Sequence, residues 1–100
     1  MDYLDFDTSE DEHGYGSLEA MASVPAPQVA AVQAEIQQVL DWAHGTFPGM
    51  QAPLDEGGEW DFQVQQQAET VAGLPRQTLT LSLTGTPQFC EAFRERFLAE

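Results

Sequence analysis

Asp5, Asp7, Ser9 and Asp11 occupy alternate positions near the start of the chain, the spacing at which a loop can offer oxygen ligands to a calcium ion. The register does not support a site. Counting from Asp5, the sixth position is Glu10 where an EF-hand loop needs Gly, the eighth is Glu12 where it needs an apolar residue, and the twelfth is Gly16, which has no carboxylate. Counting from Asp7 places Glu12 sixth and Leu18 twelfth, and that frame fails too. No metal site is assigned.

Cys90 could act as a thiol nucleophile with His13 or His44 as its base. Its position argues for packing instead. Cys90 lies three residues before Phe93 and seven before Phe97, on a helix face that must be covered, where a thiol behaves as a small hydrophobe. The first turn of a helix favours a thiolate, whereas an apolar surrounding disfavours it. His44 reads more simply as a residue near a helix C-terminus, where a partly protonated imidazole meets the dipole well. There is no Ser, His and Asp set and no phosphate-binding glycine loop, and Gly57 and Gly58 are a turn signal. No catalytic residue and no cofactor are assigned, and the chain is read as a non-enzyme.

The remaining candidates are two tryptophans among acids. Asp55, Glu56, Glu59 and Asp61 surround Trp42 and Trp60 in sequence, and an acidic rim around aromatic groups would suit a basic peptide or protein. Trp42 lies at the edge of a helical stripe, so it either completes a core from the side or enters an interface.

The elements that must position these groups follow from hydrophobic periodicity. Residues 77–84 alternate strictly, with Leu79, Leu81 and Leu83 on one face and Thr78, Thr80, Ser82 and Thr84 on the other, which predicts a half-buried strand. Gly85 allows a turn, Thr86 is suited to an N-cap and Pro87 to a first helical position. Along that helix Phe89, Phe93 and Phe97 form one aromatic stripe, which needs the leucine face to lie on. Upstream, residues 28–44 contain neither Gly nor Pro, and Val29, Val32, Ile36, Val39, Leu40 and Ala43 define the buried side of an amphipathic helix that Gly45 should terminate.

Trp60, Phe62 and Val64 alternate with Asp61, Gln63 and Gln65 in a second strand, joined to the last through a connection at 67–76 that looks longer than a tight turn. Residues 46–59 make a long loop.

Residues 1–24 differ in composition. Seven acids and no base fall in the first twenty positions, which predicts a loosely solvated acidic arm. Tyr3, Leu4 and Phe6 allow two alternatives, an edge strand through residues 3–7 or a recognition segment that folds on a partner. If the arm is loosely solvated, removing residues 1–24 should leave the domain folded.

The fold class expected is α+β, with two helices on one face of a small antiparallel sheet in the order helix, strand, strand, helix. It would occupy residues 25–100, behind the flexible arm and with room for one N-terminal edge strand. A hundred residues make a single domain that buries only about 60–65% of its unfolded surface. With three arginines, no lysine and a formal charge of −14, the chain cannot build a cationic face for nucleic acid or an anionic membrane. The acidic start lacks the positive region of a signal peptide, and no apolar run reaches a membrane span, so the cytoplasm is the expected compartment.

The function expected is a non-enzymatic protein-interaction or regulatory module with a basic partner. The alternative is a nucleic-acid mimic, an inhibitor or antitoxin that binds a basic protein; a small enzyme comes third. Two unguarded strand edges further predict a homodimer.

Overall fold

The computed structural model describes residues 3–98; the first two residues of the expected arm and the last two of the domain lie outside the described residues. The architecture is α+β. A four-stranded antiparallel sheet is formed by β1 (Asp7–Glu10), β2 (Gly16–Pro25), β3 (Trp60–Val71) and β4 (Leu74–Gly85), in the spatial order β1-β2-β4-β3. Helix α1 (Val29–Thr46) connects β2 to β3, and α2 (Pro87–Phe93) follows β4 and runs into a π-helical turn at Arg94–Leu98. No helix among the described residues is long and apolar enough to cross a membrane.

β4 is central. Leu79, Leu81 and Leu83 are fully buried, and the strand pairs with β2 on one side and β3 on the other. On the same face β2 presents Gly16, Leu18, Ala20, Ala22 and Val24, each buried, while Ser17, Glu19, Met21 and Ser23 face outward. Helix α1 lays Val32, Ile36, Val39, Leu40 and Ala43 on this surface, and the small alanines beneath it leave the helix room to sit close. Thr86 caps α2 by accepting from the Phe89 amide, and Pro87 opens it.

The seat of α2 is fixed by two glycines that face each other across β2 and β4. A Cβ on Gly85 would lie 2.3 Å from the Phe89 ring, and one on Gly16 would lie 2.8 Å from the Cys90 sulfur. Only bare backbone lets the aromatic stripe reach the sheet here.

The expected order helix, strand, strand, helix is corrected, because two strands precede α1. Residues 16–24, assigned to a loose arm, supply all but the last residue of an inner strand, since β4 offers a hydrogen-bonding edge and a leucine face that an alternating segment can complete. The N-terminal edge strand is β1, which begins at Asp7, where the expected strand over residues 3–7 would end. Residues 3–6 instead cross the helices. Leu4 is buried, the Phe6 ring meets Phe93 edge-on at 4.9 Å, and the Glu35 carboxylate accepts from the amides of Tyr3 (3.1 and 3.2 Å) and Leu4 (3.1 Å).

Two further boundaries differ. Helix α1 continues through Gly45 to Thr46, and the β3–β4 connection is a two-residue turn at Ala72 and Gly73, both with positive φ. That geometry suits a twisted hairpin, so the strands extend almost to the tip.

Deleting residues 1–24 removes β1, β2 and the Glu35 contact and exposes the β4 edge. The truncated chain is expected to lose its cooperative urea transition, and a transition close to that of the full chain would show that β2 is dispensable. Glu35→Ala is expected to cost about 1–2 kcal/mol, from its hydrogen bonds to two amides, and to raise hydrogen exchange at Tyr3 and Leu4.

Candidate functional site

The strand register brings Glu10, Gly16, Gly85 and Trp60 to one end of the sheet. The loops at that end carry Asp11, Glu12, Asp55, Glu56 and Glu59, and the adjoining strand ends carry Glu10 on β1 and Asp61 on β3. Leu54, on a short 3-10 turn (Leu54–Glu56), reaches across to line an open groove of about 300 Å³ with Ser9, Asp11, Tyr15, Ser17 and Thr84. A smaller groove of about 180 Å³ lies beside it, lined by Asp61, Phe62, Gln63, Ser82 and Thr84. Both open on the face away from the helices, and Thr84 separates them.

Five of these seven acids have a local partner. Asp11 accepts from the amides of His13 (2.8 Å) and Tyr15 (3.0 Å), which closes the β1–β2 turn around Gly14. Glu10 forms an ion pair with Arg94, which ties the edge strand to the C-terminal turn. Glu12 approaches His13 at 3.5 Å in an exposed pair. Glu59 accepts from the Thr86 hydroxyl at 2.6 Å, and Asp61 accepts from the Gln51 amide at 2.6 Å and the Phe62 N–H at 2.9 Å. Asp55 and Glu56 are exposed. The loop itself is braced by Ala52 N–H to Trp60 O and Glu59 N–H to Met50 O, and a Cβ on Gly58 would collide with the Ala52 carbonyl at 2.1 Å.

The structure keeps both tryptophan side chains out of these grooves. Trp60 is wholly buried, stacked on Phe89 at 5.6 Å with His44 edge-on at 4.9 Å, and it has no surface to offer a partner. The reason is alternation: Trp60 shares the inner face with Leu83 and Leu81, which places Asp61 on the outer face. Trp42 is half-buried among Phe47, Phe89, Phe93 and Phe97, at centroid distances of 5.3 to 6.3 Å, and completes the core from the side. The aromatic group at the acidic groove is Tyr15, which is 43% exposed. Its place between Gly14 and Gly16 marks a turn, but only the register of β2 with β4 and of β4 with β3 brings it to the groove that Leu54 lines.

The alternating acids of the calcium reading fall on a strand and its turn. Asp7 and Ser9 face outward from β1, and the Asp11 carboxylate is engaged by backbone amides. Among the described residues no cluster of His, Cys, Asp and Glu has metal-binding geometry.

Cys90 is 1% exposed, and its sulfur lies 3.6 Å from the Gly85 carbonyl. Burial pushes the thiol pKa up, while a hydrogen bond from the Gly16 backbone pulls it down by less. Cys90→Ala is expected to cost about 1 kcal/mol from lost packing, and alkylation of the native thiol at neutral pH should be slow compared with the unfolded chain. Rapid native alkylation would contradict this burial. No protein-family model, no curated protein and no solved structure matches this chain.

Proposed function

We propose that this protein is a non-enzymatic interaction module that receives a cationic segment of another protein at the acidic end of its sheet. The observation that carries this reading is one open groove where Asp11 and the exposed Tyr15 meet three hydroxyl side chains and Leu54, whose chain neighbours Asp55 and Glu56 are exposed acids. A guanidinium or ammonium group placed there gains Coulomb energy from several acids at once, and a tyrosine face adds about 0.5–1 kcal/mol of cation–π attraction at an exposed site. Asp11 keeps unused acceptor capacity, since a carboxylate has roughly four lone-pair sites and two are taken by amides. The groove is open and does not enclose a small molecule, which favours a side chain on a larger partner.

A nucleic-acid mimic would spread its charge along the molecule, as a duplex does at about one charge per 1.7 Å. Here the long axis is 45 Å, and β3 carries no charge between Asp61 and Glu69. The concentrated end suits a short basic segment better.

Titration calorimetry with an oligoarginine peptide tests the reading. Asp55→Asn combined with Glu56→Gln is expected to weaken binding about tenfold, or about 1.4 kcal/mol, and Tyr15→Ala several-fold. The control pair Asp41→Asn and Glu91→Gln, on the helical side, should leave affinity within about twofold. Equal losses from both pairs would reduce the effect to net charge and remove the site.

A further inference from the structure

We propose that two copies of this chain pair through the open edge of β3, antiparallel and about a two-fold axis at Gln66. The proposal concerns a surface separate from the acidic groove and does not depend on that groove's function. β3 is an edge strand twelve residues long without proline or lysine, and from Phe62 to Ala68 it carries no charge. Native edges of that length are commonly shortened, bulged or charged, and this one is regular throughout its pairing with β4.

The polarity of the edge follows from two hydrogen bonds. Glu59 O accepts from Thr86 N–H on the β4 side, whereas Trp60 O accepts from Ala52 N–H on the open side. Alternation then directs the N–H and C=O groups of Phe62, Val64, Gln66, Ala68 and Thr70 outward. The bridge between Gln51 and Trp60 covers the edge only at its beginning.

A second copy fits these groups in one register. With the axis at Gln66, Phe62 faces the partner's Thr70 and Val64 faces the partner's Ala68, so the side chains left half-buried or exposed by the helices meet small ones. All five outward residues then form hydrogen-bonded pairs. On the outer face Gln63 comes opposite the partner's Glu69, an amide donor against a carboxylate, and Gln65 comes opposite the partner's Gln67. Moving the axis to Gln65 would set Asp61 against the partner's Glu69, and like charges directly opposite are destabilising.

The charge of −14 on each copy does not forbid this arrangement. The antiparallel axis places Asp61 opposite the partner's Val71, so the two acidic ends lie roughly 34 Å apart at about 3.4 Å per residue. That is over three Debye lengths at physiological salt, where each is about 8 Å.

Light scattering after size exclusion at ~100 μM chain, at low and at moderate salt, should give twice the 11.0 kDa mass of one chain at moderate salt. Gln66→Pro should give a monomer with an unchanged circular-dichroism spectrum, because the lost N–H points to solvent in a single copy. If that variant unfolds, Val64→Lys, at a position 42% exposed, replaces it and should also be monomeric. Hydrogen exchange should show Val64, Gln66 and Ala68 protected in the unmodified protein and fast in the variants. A monomeric mass for the unmodified chain at both salts, or a dimer that survives both substitutions, overturns the proposal.

Discussion

β4 is hydrogen-bonded along both edges and buried along one face, and every other element is placed by that constraint. Its three inward leucines are each worth roughly 2 kcal/mol when removed from water, and they are covered only if α1 and α2 lie across them. α2 follows directly after Gly85 and Thr86, so the helix lands on the strand that precedes it. α1 has to carry the chain from β2 to β3 past the strand between them, which sets it across the sheet. The strand carries no charge from Gln77 to Gly85, and Arg76, its one cation, sits where β2 ends.

What could be read from the sequence was local to this strand. The leucine alternation, the Thr86 cap, the Phe stripe and the inward face of α1 each depend on contacts a few residues apart, and each holds in the fold. β2 was hidden because its inward residues are small and its neighbourhood is acidic. Ala20 and Ala22 are poor strand formers, yet beneath α1 they are the side chains that fit, so tertiary packing overrides propensity. The hairpin tip was hidden for a related reason. Ala72 adopts φ of 52°, which an alanine does not advertise, so the turn looked longer than it is.

The acids of the candidate site were legible only in part, since Asp61 lines the smaller groove but Asp11, which lines the larger, is marked in the sequence only as a calcium ligand, and the site's aromatics were not legible at all. Grouping Asp55, Glu56, Glu59 and Asp61 with Trp60 relied on nearness along the chain. In a strand, nearest neighbours point to opposite faces, so Trp60 and Asp61 part company at the first residue of β3. The same alternation that put Trp60 with the leucines already implied its burial. Tyr15 had no such signal, because its neighbours come from a different strand and a loop forty residues away.

The acidic end raises a question of balance, since acids crowded there repel one another and the chain has three arginines to offset them. Arg94 is committed to Glu10, Arg76 to Ser23, and Arg96 lies over the Phe97 ring at 4.8 Å. The fold relies on backbone amides and hydroxyls instead: Asp11 closes a turn, Glu59 holds the cap residue of α2, and Asp61 binds the loop through Gln51. These bonds fix where the carboxylates sit without neutralising them. The field at that end therefore persists in the folded state, and it is diluted on unfolding, when the two loops separate. A cation bound there lowers the energy of the folded chain more than that of the unfolded one, so by linkage the ligand that fits the groove is also one that stabilises the sheet beneath it.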